Sequence, residues 1–327
     1  MQFTLTKPEI EEEIDYLKLI SNLASEANTI EILTIKCDTC GAQITLEKNL
    51  VVKTCDFCNS PLIVDQGRIS KIIEPVSILI FKVTAKEGEA IFKSWIQKRW
   101  FAPYNLNKHA NQKKKLHSIY LPYWGYDSNT VTHYKGQRGD NYQTRGYHIN
   151  FTDSKVTPKI VTKTNWRYSS GTVTNVFEEV LVVATDSLPE EFLRKLEPWE
   201  LSVLIPFEPK YLLDFRAEIY RVNVQQGFKN AQKIMQAEIN RSIKKNIGGD
   251  NQRIESQMTN YKSIKFKHIL LPIWLTTYSY HNKVYRFMIN GHTGKAHGER
   301  PYSWIKITLF ILLSIAIFAL IIRLINT

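Results

Sequence analysis

Over residues 6–25 the apolar side chains Ile10, Ile14, Leu17 and Ala24 recur three, four and seven positions apart, with Ile20 at the edge of the stripe. That spacing predicts one amphipathic helix. Thr6 and Glu9 form a capping box at its start, and Pro8 sits in the first turn, where its missing N–H costs nothing. The apolar face predicts packing on the rest of the chain or on a second copy. An apolar run from Val76 to Val83 predicts a buried strand, followed by a helix from Lys86 to about Trp100. Residues 130–185, rich in Thr, Val and Tyr, predict an antiparallel β-meander with turns at Gly136, Gly139, Gly146 and Gly171. A second helix, about 224–247, ends at Gly248-Gly249, residues suited to a helix C-terminus.

Two of these patterns occur twice. Ile80-Phe-Lys-Val-Thr-Ala-Lys-Glu-Gly88 resembles Ile219-Tyr-Arg-Val-Asn-Val-Gln-Gln-Gly227, each a strand that ends in a capping box, Thr84 with Glu87 and Asn223 with Gln226. Downstream, Ile119-Tyr-Leu-Pro-Tyr-Trp124 matches Ile269-Leu-Leu-Pro-Ile-Trp274. The same order at offsets of 139 and 150 predicts a duplicated β-α-β-β unit, about 76–135 and 215–300. Proline cannot donate to a ladder, so the Leu-Pro-x-Trp strands are expected at sheet edges or strand starts.

From Ile307 to Ile322 the chain is apolar apart from Thr308 and Ser314, bracketed by Lys306 and Arg323. Extended to Ile325, the segment is about 28 Å long as a helix, against a hydrocarbon core of about 30 Å. Tyr302 and Trp304 stand where interfacial aromatics belong. The expectation is a single transmembrane span over 305–325. Lys295, Arg300 and Lys306 precede it and only Arg323 follows, so the positive-inside rule places the body in the cytoplasm.

All four cysteines lie in Cys37-Asp-Thr-Cys40 and Cys55-Asp-Phe-Cys58. A two-residue gap lets one tight turn supply two thiolates, and two such turns supply the four soft ligands of a tetrahedral zinc site. Gly41 and Asn59 follow the knuckles, and both residue types tolerate the positive φ of a sharp bend. The spacer, with Ile44, Leu46, Val51 and Val52, suits a hairpin. Four cysteines leave no open position, so Zn2+ here is structural rather than catalytic, and the expected module, 32–66, folds on its metal independently of the body. No cysteine remains to staple the body, as in a reducing compartment.

Charge adds a division of labour. The chain carries +12, but residues 1–31 hold seven acids against two lysines and 32–66 hold four acids against three lysines, which leaves +18 on 67–327. A basic body predicts an anionic neighbour, either the membrane surface or nucleic acid. The candidate residues are Lys113, Lys114 and Lys115 in a loop and Lys229, Lys233, Arg241, Lys244 and Lys245 on the second helix. A ribbon of net charge −1 is poorly suited to phosphate itself. There is no G-x-x-x-x-G-K-[ST], G-x-S-x-G, H-E-x-x-H or G-x-G-x-x-G, so neither nucleotide binding nor catalysis is expected. His292 and His297 flank a glycine-rich stretch that reads as turn chemistry.

Several stretches resemble a family of bacterial membrane proteins with an N-terminal zinc ribbon of the transcription-factor-IIB type, often loosely labelled relatives of the primosomal replication-restart helicase. They are Trp95-Ile-Gln-Lys-Arg-Trp-Phe-Ala-Pro103, Leu121-Pro-Tyr-Trp-Gly-Tyr-Asp127, Leu196-Glu-Pro-Trp-Glu-Leu201, Asn246-Ile-Gly-Gly-Asp-Asn-Gln-Arg253, Lys267-His-Ile-Leu-Leu-Pro-Ile-Trp274 and Asn290-Gly-His-Thr-Gly-Lys-Ala-His-Gly-Glu-Arg-Pro-Tyr302. The resemblance covers most of the chain from Cys37 onward and departs at the acidic N-terminal helix. It implies an architecture and a bacterial inner-membrane location, not an activity. The helicase label does not transfer, because the ATP-binding elements are missing. Residues 274–298 also resemble the strand–turn–strand of PepSY-type domains, which bind ligands or proteins near membranes.

Together these readings predict an α+β protein with an acidic helix (1–31), a zinc ribbon (32–66), a duplicated β-α-β-β body with a β-meander (67–304) and one C-terminal transmembrane helix (305–325). The expected function is a non-enzymatic membrane adaptor for protein partners, with a membrane-tethered nucleic-acid binder as the alternative.

Overall fold

The computed structural model describes residues 16–45, 54–58, 60–62, 67–104, 106, 116–150, 155–212, 215–281 and 283–325. The chain is mixed α+β with antiparallel sheets and one long apolar helix at its C-terminal end. It forms two compact units. One comprises Met1–Ala27, Trp124–Val182 and Asn223–Lys267; the other comprises Asn28–Tyr123, Val183–Val222 and His268–Thr327.

In the first unit, α1 (Tyr16–Glu26) packs against α4 (Val224–Ile247). Ile20, placed by periodicity at the edge of the apolar stripe, is fully buried. Thr6, Glu9 and the rest of the expected first turns lie outside the described residues. Helix α4 buries Val224, Phe228, Ala231, Met235, Ile239, Ile243 and Ile247, three or four positions apart. It starts where the Asn223 carboxamide oxygen accepts from the Gln226 N–H at 2.8 Å and stops at Gly248, φ 68°. Gly227 lets it close on the sheet. A Cβ there would stand 2.4 Å from Tyr126 Oη, which donates to the Val224 carbonyl, and 2.8 Å from Trp124.

Strand β5 (His117–Asn150) pairs with β6 (Lys155–Val183) and with β9 (Asn251–Tyr280). Asp127 meets Glu179, His133 meets Thr172 and Asp140 meets Arg167, so one number falls as the other rises, the mark of an antiparallel pair. This region is two long strands, and the glycines expected at turns lie inside them. A Cβ at Gly136 would come 2.2 Å from the Arg253 carbonyl oxygen, and one at Gly146 2.5 Å from Val161. Glycine here permits close approach between neighbours rather than reversal of the chain.

The second unit contains a three-stranded sheet ordered β2-β1-β3, from β1 (Thr29–Lys36), β2 (Gln43–Thr45) and β3 (Arg68–Ile73). Its helix α2 (Ala85–Gln97) starts at the Thr84–Glu87 capping box, and the short α3 is Glu190–Arg194. Strands β4 (Ser77–Ile78), β7 (Ile205–Pro206), β8 (Arg216–Ala217), β10 (Lys283–Asn290) and β11 (Ala296–Gly298) join the larger sheet. Phe92, Trp95, Trp274, Tyr278 and Phe287 form the core under α2.

Two short parallel ladders have the same design. Ser77 and Ile78 pair with Ile269 and Leu270; Arg216 and Ala217 pair with Ile119 and Tyr120. The residues of one ladder differ from those of the other by the sequence offsets 139 and 150. Beyond them the Leu79 N–H reaches the Leu270 carbonyl at 3.0 Å and the Glu218 N–H reaches the Tyr120 carbonyl at 2.9 Å. Thus β4 pairs with the Leu-Pro-x-Trp strand of β9, and β8 with that of β5. Pro122 and Pro272 lie well inside long strands, not at edges or starts. Each comes two residues after the last parallel pair, on the flank where the short partner has already ended and no N–H is needed. Their carbonyls still accept, from Ala184 and Gly291.

Candidate metal centre

Strand β1 delivers Cys37 and turns back into β2 through a tight knuckle. The Cys37 N–H donates to the Ala42 carbonyl at 2.8 Å, the Gly41 N–H to the Cys37 carbonyl at 2.7 Å, and Gly41 takes φ +75°. The second knuckle repeats the first: the Cys55 N–H donates to the Ser60 carbonyl at 2.8 Å, and Thr54 bridges Pro61. Asn59, Leu46, Val51 and Val52 lie outside the described residues. The knuckles face each other, and the four sulfurs all lie within 4.8 Å of one another. Cys37 to Cys58 and Cys40 to Cys55 are each 3.6 Å apart, too far for disulfides. The contact with Cys55 pulls Cys40 down to about 5, and the same contact with burial pushes Cys55 up. Burial raises Cys37. Among the described residues this is the one cluster of side chains able to hold a metal ion.

Body residues surround the knuckles. Asp56, between the second pair of cysteines, has 1% of its side chain exposed and meets Arg216 Nη1 at 2.5 Å and His117 Nδ1 at 3.0 Å. Its neighbour Phe57 is fully buried, and the Phe57 carbonyl accepts from Arg286 Nε at 3.2 Å. The Ile219 N–H donates to the Gln43 carbonyl, the Ala217 N–H to Thr45 Oγ1, and Ile44 bridges Glu218. The Arg221 guanidinium lies over Gly41 and donates to the Cys40 carbonyl at 3.4 Å. The module expected to fold by itself is thus stitched to the segment around β8. The cysteines are visible in the sequence. The anchors Asp56, Arg216, Arg221 and Arg286 are not, although Phe57 in the middle of a knuckle is a signal that the turn is covered.

No family model matches the chain, and no solved structure matches it. The chain is similar to the uncharacterized protein YdjG of Bacillus subtilis (strain 168), at 25% identity over 239 residues. These cover 72% of this chain and 66% of that protein, so the chain spans just under two thirds of its relative's length.

Five of the basic candidates share one helix, α4. Lys229, Lys233, Lys244 and Lys245 are exposed on α4, where Arg241 is paired with Glu238. Lys113, Lys114 and Lys115 lie outside the described residues. His292 is buried, donating from Nδ1 to the Ile80 carbonyl and facing Glu200 through Nε2, and Asn290 Oδ1 caps the turn by accepting the His292 and Thr293 N–H groups. His297 stands apart, edge-on to Phe192.

The C-terminal helix α5 (Trp304–Ile325) is long and apolar enough to cross a membrane, and none of it is buried. At its base, Lys306 Nζ donates to the Trp100 and Ala102 carbonyls at 3.0 and 2.7 Å and lies 3.9 Å from the Tyr104 ring. Trp100, Tyr104, Tyr302 and Trp304 are all exposed there.

Proposed function

We propose that this chain is a non-enzymatic, membrane-anchored zinc-ribbon adaptor that holds protein partners at the cytoplasmic face of a bacterial inner membrane. The observation that carries the reading is the unburied apolar helix α5. In water, so much exposed Leu, Ile and Phe has no stable place, whereas in lipid it is the span itself. Trp100 and Tyr104, about 200 positions upstream of the helix, stand beside its first turn, as headgroup-level aromatics do. Lys295, Arg300 and Lys306 before the span support a cytoplasmic body.

Zinc is the metal we assign to the cysteines. A tetrahedron with Zn–S bonds of about 2.3 Å has edges of about 3.8 Å, and the sulfurs across the two knuckles are already 3.6 Å apart. Four thiolates close the coordination sphere, so the ion would fix Asp56 and Phe57 for docking and leave no position for substrate. The reciprocal ladders support reading 76–135 and 215–300 as copies of one unit, each lending its first strand to the other. Nucleic-acid binding is the second reading, favoured by the exposed lysines of α4.

The test uses the full-length chain in its membrane. After high-salt and alkaline washing it should remain in the membrane fraction with one zinc per chain, and crosslinking with mass spectrometry should recover the same proteins repeatedly. A chain that washes off, or crosslinks to lipid alone, would overturn the adaptor.

A further inference from the structure

A cavity of about 380 Å³ opens between the end of α2, the β10–β11 hairpin and the segment that leads into α5. Arg99, Lys283 and Arg300 bring three cations to its wall. Each lies over an aromatic ring: the Arg99 guanidinium 4.6 Å from Trp95, Arg300 4.9 Å from Tyr302, and Lys283 Nζ 5.6 Å from Tyr285. Among the described residues, none of the three is ion-paired with a carboxylate. Glu299, the acid in the wall, accepts the Arg286 N–H at 2.9 Å and is held to the backbone. Arg99 Nε is buried with no hydrogen-bond partner. Burial and the neighbouring positive charge of Arg300 both lower the pKa of Arg99. His297, also in the wall, is lowered by burial and by Lys195 and Arg99, so it adds little charge at neutral pH.

Two guanidinium groups held near each other with no carboxylate ion-paired to either repel, and a desolvated donor with no acceptor is costly. An anion with several oxygens relieves both. Guanidinium forks match phosphate geometry, and the aromatic walls suit a group attached to carbon rather than a bare hydrated ion. Tyr302 is two residues before α5, and Arg99 is followed at once by the exposed Trp100. The cavity therefore lies at the base of the apolar helix, the level of phospholipid headgroups if that helix spans.

We propose that this cavity is a phosphate-binding site, with Arg99 and Arg300 as its principal ligands and Lys283 in support, occupied by the phosphate of an anionic phospholipid headgroup. The site rests on the charges of the cavity; only the lipid as source rests on the membrane-anchored reading.

The experiment is calorimetric titration of the full-length chain in a neutral detergent with three probes: short-chain phosphatidylglycerol, inorganic phosphate and short-chain phosphatidylcholine. The expected result is saturable one-to-one binding of phosphatidylglycerol, tighter than phosphate, with phosphatidylcholine weakest. Arg99→Gln and Arg300→Gln should each weaken it about tenfold or more. Lys93→Gln, exposed on the same helix and outside the cavity, should leave it unchanged. If Arg99→Gln loses zinc or unfolds, Arg300→Gln and Lys283→Gln carry the test. Phosphate binding as tight as the lipid, with the same sensitivity to the arginines, keeps the site and replaces the source by a free phosphate. No saturable binding of either anion, or binding that the variants do not move, overturns the site. The washed-membrane experiment is read separately, so failure here leaves the adaptor standing.

Discussion

His268 is 1% exposed, and its Nδ1–H donates to the Ile73 carbonyl at 2.8 Å while the Tyr220 ring meets it edge-on at 5.5 Å. Burial pulls its pKa from 6.5 to about 4. Glu218, equally hidden beside the metal centre, moves the other way: burial pushes it up to about 7 despite hydrogen bonds from Ser187 and Thr185. Their effects on stability oppose each other. A histidine with a depressed folded pKa contributes stability that is present above 6.5 and lost as pH falls toward 4. A glutamate with a raised folded pKa contributes stability that is present below about 4.5 and lost as pH rises toward 7. Each shift amounts to about 3 kcal/mol. Between pH 5.5 and 6.5 the unfolded chain takes up a proton at His268 that the fold refuses, and the fold keeps one at Glu218 that the unfolded chain releases. The two slopes cancel, so thermal melts across that window should be nearly flat. His268→Gln, which keeps a donor for Ile73, should unmask stability that falls as pH rises. Glu218→Gln should unmask the opposite slope. Equal profiles for both variants would refute the assignment. Neither residue stands out in the sequence: a polar position in an apolar strand is visible there, but the absence of water around it is a product of strands distant in the chain.

At the scale of elements, helix ends are legible from nearby residues, whereas strand extent and pairing depend on distant neighbours; the apolar run Val76–Val83 forms only the two-residue strand Ser77–Ile78, with Val76 and Ile80 exposed. The caps at Thr84 and Asn223 and the Gly248 stop are set by residues within three or four positions; the expected capping box forms in full at Thr84–Glu87, whereas at Asn223 the side chain accepts from the Gln226 N–H, one half of the box. Gly136 and Gly146 read as turns because their reason for being glycine, a neighbour within 2.2–2.5 Å of a would-be Cβ, comes from another strand. The proline strands read as edges because the short lengths of β4 and β8 cannot be inferred from β5 and β9. Four cysteines at paired spacing mark the candidate metal centre without help, whereas its contacts with the body, among them those of Asp56, do not show in the sequence. Asp56→Asn keeps the shape and removes the charge that Arg216 and His117 face. Breaking a buried pair costs about 3–5 kcal/mol, and the partial solvent access of Arg216 reduces this to about 2. The variant should therefore hold zinc at one per chain, since all four ligands remain, while denaturant unfolding followed by body tryptophan fluorescence shifts to lower midpoint. Loss of zinc with an unchanged midpoint would mean that the knuckle does not couple to the body.

On the scale of the whole molecule, the excess positive charge calls for an anionic neighbour. The similar motifs at offsets 139 and 150 are visible in the sequence, but the pairing of β4 with β9 and of β8 with β5 is not, since periodicity carries no information on partner choice. The charge has the same character: the sequence gives its amount, and the fold decides where it faces. Four lysines, Lys229, Lys233, Lys244 and Lys245, are exposed along α4, and the exposed Arg241 pairs with Glu238. If they track a duplex, four neutralised phosphates give a slope of about −3.6 in log affinity against log salt. Charges that only rest near anionic headgroups contribute about 1 kcal/mol each, without dependence on nucleic-acid form. The full-length chain in neutral-lipid nanodiscs separates the two when titrated with duplex DNA and RNA at two salt concentrations, then moved to nanodiscs containing phosphatidylglycerol. The adaptor reading expects weak nucleic-acid binding whose slope stays shallow and does not change when Lys244 and Lys245 are replaced by Glu. It also expects closer approach of the body to the anionic disc. Micromolar duplex binding at physiological salt, with a slope that drops by about two units in the double variant, would make these lysines a nucleic-acid surface and the membrane anchor its tether.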